Sequence, residues 1–299
     1  MHISERICNF ATRKGLIMNI AVFGNWYKRS TLEEVAHILD FMESRGVTVL
    51  LSQELRDEMN LRDKYAPFNT ETNDEVDFVL SVGGDGTFLY TASVVGDKNI
   101  PILGINCGRL GFLADVQTSE VDFICDQLVQ NNYTIEQRSL LMVTSDNGAH
   151  IEQPFALNEI AVMKQELSSM IGIEAKVNGE LLNMYKADGL VVSTPTGSTA
   201  YNLSVGGPLM APQTRSLIIS PIATHALNVR PIVIPDDWKI DLNVRSRSHS
   251  FLLSVDGRSL TMREGSMLHI EKAPYTIKLV QIGDNSFLNS LRQKLNWGE

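Results

Sequence analysis

A change of hydrophobic pattern near residue 131 constrains this 299-residue chain more than any other feature. Before it, the apolar runs at 18–25, 47–51, 76–82 and 102–106 are continuous and rich in branched residues. A strand that is apolar at every position is buried on both faces, which requires a parallel sheet covered by helices. One such helix is legible after the first run, where Leu32, Val35, Ala36, Leu39 and Met42 share a face. Ser30 and Glu33 stand at capping-box spacing ahead of it, and Gly46 is placed to close it with a left-handed cap. Residues 53–74 are polar without a period and read as a mobile connection.

After residue 131 helical spacing gives way to short runs separated by turns. The clearest pair is 173–177 and 180–186 around Asn178-Gly179, a dipeptide that tolerates positive φ at both positions. Runs at 217–223, 231–235, 238–244, 251–255 and 267–271 continue the pattern and predict an all-β second half. Ser286 followed by Phe287, Leu288, Leu291 and Leu295 predicts a last helix that a β domain does not need, so it is expected to return to the first part.

Bulk properties narrow the partner. A formal charge of −9 gives no footprint for nucleic acid or an anionic membrane surface and leaves a small molecule as the expected ligand. No apolar run reaches the roughly 18 residues of a membrane-spanning helix. Cys8, Cys107 and Cys125 are odd in number and far apart, so neither disulfides nor a Cys-x-x-Cys site is expected, and a cytoplasmic location fits best. Residues 1–17 lack the apolar core of a secretory signal and read as a dispensable extension.

The stretch Gly83-Gly84-Asp85-Gly86-Thr87 joins an apolar run to a helix-like segment. Glycines there expose backbone N–H groups beside a helix N-terminus, an arrangement that attracts anions. No Gly-Lys-Ser/Thr follows, Leu89 stands at the third glycine of a dinucleotide fingerprint, and Asn106 rather than an acid ends the next strand. Asp85 would repel phosphate unless it binds a metal or accepts a hydrogen bond from a hydroxyl. A hydroxyl beside phosphate means phosphoryl transfer, with the carboxylate accepting the proton as the new bond forms. The competing reading is a tight turn in which Asp85 caps the helix through the N–H of Thr87 or Phe88.

A second glycine-bearing segment spans 186–202. Thr194, Thr196, Ser198 and Thr199 around Gly197 supply hydroxyls, and Tyr201 an aromatic face, a set suited to a polyhydroxylated ligand with a planar ring. Asn158-Glu159 adds an amide and a carboxylate able to hold an adenine edge or ribose hydroxyls, or to sit in an ordinary turn. His225 reads as structural and Cys107 as unreactive, while Arg109 is equally suited to phosphate or to an acidic partner.

Taken in order, Gly83-Gly84-Asp85-Gly86-Thr87, the segment 104–113 (Gly-Ile-Asn-Cys-Gly-Arg-Leu-Gly-Phe-Leu), Asn158-Glu159 and residues 188–201 closely resemble the NAD kinase family, across nearly everything from Met18 to Trp297. The first motif is shared with related lipid kinases and phosphofructokinases; the long motif of the second half is highly specific. The resemblance implies transfer of the ATP γ-phosphate to the 2′-hydroxyl of the adenosine ribose of NAD, with a divalent cation, magnesium for preference, held mainly by the nucleotide. It implies Asp85 as proton acceptor, close backbone approach at Gly86, and dinucleotide contacts at Asn158, Glu159, Thr199, Ala200 and Tyr201. Asp188 would reach a substrate in a neighbouring subunit, with Lys186, Asn202, Leu203 and Ser204 at adjoining contact positions, so a dimer or more readily a homotetramer is implied. Tyr90, where many members carry a basic residue, and Arg258, where glutamine is common, depart from the pattern.

The expected fold is therefore α/β plus all-β. A Rossmann-like domain with a parallel sheet takes 18–118 and 284–299, and a β-sandwich domain takes 119–283, with the final helix packed on the former. A lipid or sugar kinase and a silent NAD(P)-binding regulator are the alternatives. No membrane-facing patch favours the first, and the charge of Asp85, useless for simple dinucleotide binding, argues against the second.

Overall fold

The computed structural model describes residues 18–69, 76–108, 111–114, 116–146, 148–166, 169–283 and 286–297. The proposed extension at 1–17 and the expectation for Arg109 lie outside the described residues. The first part runs β1 (Asn19–Gly24), α1 (Arg29–Ser44), β2 (Thr48–Leu51), α2 (Gln53–Glu58), β3 (Ala66–Pro67), β4 (Phe78–Gly83), α3 (Asp85–Val95), β5 (Ile102–Asn106), β6 (Val116–Gln117) and α4 (Val121–Val129). Then follow β7 (Thr134–Ser145), β8 (Phe155–Ala156), β9 (Glu159–Met163), β10 (Ile171–Val177), β11 (Glu180–Ala187), β12 (Gly189–Ser193) and the single turn α5 (Tyr201–Ser204). The chain ends with β13 (Ser216–Ile222), β14 (Ile232–Pro235), β15 (Ile240–Arg245), β16 (Ser250–Val255), β17 (Arg258–Arg263), β18 (Met267–Gln281) and α6 (Phe287–Leu295).

The continuous apolar runs are parallel strands, as their pattern requires. β1 pairs in parallel with β2 on one side and β4 on the other, and β5 extends the sheet beyond β4. The chain thus reverses its direction of travel between β1 and β4, and the carboxyl ends of those strands flank a switch point, where ligands of open α/β sheets bind. α1 covers the sheet with Val35, Ile38, Leu39 and Met42 buried. Its first residue is Arg29 and Lys28 caps it without a side-chain hydrogen bond, so Ser30 and Glu33 lie inside the helix and do not cap it as expected. Gly46 takes the predicted left-handed conformation, with φ +71°.

Two further departures have physical causes. Residues 53–58 are helical: Ser52 accepts from the N–H of Leu55, and a single buried residue, Leu55, gives too short a helix to show a period. Val121, Ile124 and Leu128 of α4 share a core with Ile20, Val22, Val35 and Leu39, so this helix packs with the first part although it follows residue 118.

The α/β sheet does not stop at its edge. β18 pairs in parallel with β5 at Leu279 and antiparallel with β15 and β7, which carries the sheet on through β10 to β11, twelve strands in all. The register of β18 shifts between Lys272 and Thr276, where Pro274 lacks the N–H that a regular ladder needs. A second sheet of six antiparallel strands, ordered β14-β13-β12-β9-β16-β17, faces the β part of the first. Ile173 and Ala175 of β10 and Leu242 and Val244 of β15 share one core with Ile160 and Val162 of β9 and Leu190 and Val192 of β12. That core is the filling of a sandwich. Asn178 and Gly179, with φ of +49° and +81°, make the predicted hairpin turn, and the Ser286 hydroxyl caps α6 by accepting from the N–H of Asn289 at 3.2 Å.

Candidate active site

β4 ends at Gly83, and α3 begins at Asp85 without interruption. A Cβ at Gly83 would lie 2.3 Å from the Thr87 hydroxyl oxygen, so glycine is required for strand and helix to meet this closely. At Gly84 and Gly86 an added Cβ would meet nothing within 4 Å, and neither has a positive φ. The fold itself does not need these two glycines. They leave the helix N-terminus open to close approach from outside.

The Asp85 carboxylate does not cap α3, because the N–H groups of Thr87 and Phe88 both bond the carbonyl of Gly84. It reaches instead to the loop after β5: Oδ2 accepts the N–H of Phe112 at 2.8 Å, and Oδ1 accepts those of Leu113 and Ala114 at 2.9 and 3.1 Å. A Cβ at Gly111 would sit 1.9 Å from Oδ1, so the loop can close on the carboxylate only with glycine there. A carboxylate offers about four acceptor directions, and these bonds use three, leaving one on Oδ2. α6 returns to this loop as the sequence predicts, with the Lys294 ammonium 3.8 Å from the centre of the Phe112 ring. At the end of β5, Asn106 is buried beside Gly83, and its Nδ2 has no hydrogen-bond partner.

A second aspartate makes the same clasp in the β half. Asp256 and Gly257, with φ of +47° and +80°, form the turn between β16 and β17. The Asp256 carboxylate accepts the N–H groups of Leu157, Asn158 and Glu159 at 2.7, 2.9 and 3.0 Å. This fixes the Asn158-Glu159 corner, onto which the hydroxyl-rich segment docks. The N–H of Thr194 donates to the Asn158 carbonyl at 2.9 Å, the Thr194 hydroxyl donates to the Leu157 carbonyl at 2.6 Å, and a Cβ at Gly197 would lie 2.2 Å from the Asn158 oxygen.

Glu159 is held against this clasp. Burial, reinforced by the Asp256 charge and opposed by the N–H of Tyr201, pushes its carboxyl up to about 8, and its Oε2 is buried without a partner. Burial also raises the Asp256 carboxyl, against the pull of its three N–H donors and of Arg258. Glu159 is thus largely a neutral acid near pH 7, able to donate a hydrogen bond as well as accept one.

The remaining predicted residues fall into two groups. Thr199, Ala200, Tyr201, Leu203 and Ser204 follow the docked segment and are at least partly accessible. Asn202 is fully buried: its amide donates to the carbonyls of Ser198 and Pro208 and accepts from Ser220, so its side chain pins the loop from inside. Lys186 and Asp188 stand elsewhere. β12 runs from Gly189, opposite Met163, to Ser193, opposite Glu159, which puts Asp188 at the far end of that strand from Asn158-Glu159, about 17 Å away. There Asp188 pairs with Lys164 at 2.7 Å, and Lys186 lines a groove of about 340 Å³ with Thr224 and Arg230.

Other expectations resolve plainly. His225 is exposed and its N–H bonds the Lys186 carbonyl at 3.0 Å. Burial, with help from the Glu34 charge, pushes the Cys107 thiol up to about 11, which disfavours the thiolate. Tyr90 donates to Glu54 at 2.9 Å, and Arg258 donates to the Phe155 carbonyl at 2.8 Å, so both departures from the family pattern tie down chain next to the site. Sequence reasoning passed over Asp256 as a site residue, although the Asp-Gly hairpin dipeptide was the signal for its turn.

Residues 15–133 match the ATP-NAD kinase N-terminal domain and residues 157–282 the ATP-NAD kinase C-terminal domain. The chain is 47% identical over 285 residues to an NAD kinase of Bacteroides fragilis, covering 94% of this chain and 98% of that protein. It is 42% identical over 290 residues to one of Flavobacterium johnsoniae, covering 94% and 99%. Among solved structures, a yeast NADH kinase complexed with NADH superposes with a TM-score of 0.85 at 22% identity, over 96% of this chain and 89% of that one. An Archaeoglobus fulgidus NAD kinase in complex with ATP gives 0.72 at 25% identity, over 93% and 98%. With family models spanning both parts of the chain and relatives above 40% identity along nearly all of it, this protein belongs to the ATP-NAD kinase family.

Proposed function

We propose that this protein transfers the γ-phosphoryl group of ATP to the 2′-hydroxyl of the adenosine ribose of NAD, giving NADP and ADP. The observation that carries this reading is the Asp85 clasp, which holds a carboxylate at the open N-terminus of α3 with one acceptor direction on Oδ2 unused. The ribose hydroxyl donates to that direction. As its oxygen bonds to the γ-phosphorus and the bond from phosphorus to the β,γ-bridging oxygen breaks, the proton passes to Asp85 and ADP leaves. The N–H groups at the start of α3 and the orphaned Asn106 amide supply donors for the phosphate oxygens, and Gly86 allows the backbone to approach them.

Asn158, Glu159, Thr199, Ala200 and Tyr201 hold the dinucleotide in this reading, with Leu203 and Ser204 beside it and Asn202 bracing the loop. Among the described residues no group of three or more His, Cys, Asp or Glu side chains is arranged to hold a metal ion. Magnesium carried by the nucleotide would neutralise charge between its phosphates. The separation of Lys186 and Asp188 from Asn158-Glu159 within one chain supports a site completed by a second subunit, hence a dimer or tetramer. No helix among the described residues is long and apolar enough to cross a membrane, and a cytoplasmic enzyme is the reading we adopt.

The test is NADP formation by the purified protein from NAD, ATP and magnesium, read with an NADP-specific dehydrogenase. NADP that appears only with all three present supports the reaction; protein that binds NAD and forms no NADP overturns it.

A further inference from the structure

Beneath the dinucleotide segment lies a part-buried ion pair that the reaction does not use directly. Arg138 of β7 is 6% exposed, and its Nη2 donates to Glu136 Oε2 at 2.7 Å. Its Nη1 reaches the Thr196 hydroxyl at 3.4 Å, and its Nε is buried without a partner. The second oxygen of Glu136 accepts from the side-chain amide of Gln213. Thr196 and Gln213 bracket the whole segment. Within it the Ser198 hydroxyl accepts the N–H of Met210 at 3.0 Å and Asn202 holds Pro208, so the segment behaves as one closed unit resting on the ion pair.

The two sides of this contact belong to different sheets. β7 is laddered to β18, which joins the sheet whose strand β4 ends at Gly83 just before Asp85, whereas Thr196 follows β12 of the second sheet. Leu140, two residues beyond Arg138 and so on the same strand face, packs in one core with Phe88 of α3 and Leu157 beside the Asp256 clasp. A guanidinium buried with one donor orphaned is a poor device for stability alone, since desolvation offsets most of the attraction. A rigid, two-sided fork is a good device for fixing one element against another.

We propose that Arg138 is a positioning residue, whose guanidinium, oriented by Glu136, sets the Thr196–Thr199 turn and the segment after it at the distance from Asp85 that NAD requires. This rests on the reading that residues 199–204 receive the dinucleotide. Because the pair supports one substrate's seat and not the phosphate loop, its loss acts on NAD and spares ATP.

The experiment is steady-state kinetics of the wild type, Arg138→Met, Arg138→Lys, Glu136→Gln and Tyr201→Ala with NAD and ATP varied separately. Arg138→Met is expected to raise the KM for NAD about tenfold or more, while kcat and the KM for ATP stay within about threefold. Arg138→Lys, which keeps the charge but not the fork, falls between, and Glu136→Gln gives a smaller rise confined to NAD. An Arg138→Met enzyme with the KM for NAD unmoved, or with both KM values raised alike, overturns the inference. If that variant does not fold, Glu136→Gln decides by the same criterion. Tyr201→Ala separates the two ideas: if it leaves the KM for NAD unchanged, the dinucleotide reading fails and the inference with it. If it raises that KM while Arg138→Met does not, the inference alone fails.

Discussion

The protein uses one hydrogen-bonding device twice, in its α/β part and in its β part, and the two uses differ in what surrounds the carboxylate. Asp85 gathers the N–H groups of residues 112–114 and Asp256 those of 157–159, three consecutive donors in each case. Asp85 sits half-buried at a helix N-terminus, next to two glycines that the fold does not require. Asp256 sits in a tight turn, with its clasp facing a second carboxyl group whose proton it helps to retain. The lesson is that clasping alone does not define a catalytic group. One carboxylate keeps an acceptor direction unused, the one proposed to take a proton from a ligand; the other is the floor on which Asn158 and Glu159 stand.

Variants that remove one clasp at a time put this contrast at risk. The largest effect is expected from Asp85→Asn, which loses the proposed proton acceptor and turns an amide donor or acceptor against three N–H groups. We expect kcat to fall by about 10³ with NAD still bound, as measured by single-turnover kinetics and calorimetry. Gly111→Ala comes next. It keeps the carboxylate but drives a methyl group into Oδ1, and a displaced acceptor is expected to cost about 10² in kcat, with the KM for ATP changed less. Asp256→Asn disturbs the floor: about a tenfold rise in the KM for NAD, with kcat lowered much less, would sharpen the contrast, and an equal loss in kcat would break it.

The smallest effect is a pH dependence of stability. Glu159 has a carboxyl raised to about 8 in the fold from an ordinary value of 4.5. The folded state therefore binds the extra proton between those values, and the stabilisation present below 4.5 is lost as pH rises through 8. Glu159→Gln removes this dependence. Its unfolding free energy should gain on the wild type progressively from pH 5 to pH 8 in denaturant titrations, by at most about 1.4 kcal/mol per pH unit.

The contrast also marks what a sequence can disclose. The parallel sheet was legible because strands buried on both faces must be apolar throughout, and the β10–β11 hairpin because Asn178-Gly179 is matched to one kind of turn. Asp85 drew notice because a charge among glycines is locally out of place. The cap at Ser30 failed because the helix starts two residues earlier than that cap requires, and α2 escaped because one buried leucine carries no period. β18 was read only to residue 271 because Pro274 interrupts it, although the strand resumes and ties the two parts together. The Asp256 clasp joins residues 97 to 99 apart in the chain, and the Arg138–Thr196 contact spans 58, distances at which a single sequence gives no pairing signal. Residues proposed to act on a ligand were legible by their chemistry; residues that place them were not, because placement is decided by the fold.

The most direct test of this account is a comparison of kcat for Asp85→Asn and Asp256→Asn, each at saturating NAD and ATP with magnesium, in protein shown to be folded. The account predicts a loss of about 10³ for Asp85→Asn and no more than about threefold for Asp256→Asn. Equal losses in the two variants, or an Asp85→Asn enzyme within about tenfold of the wild type, would contradict it.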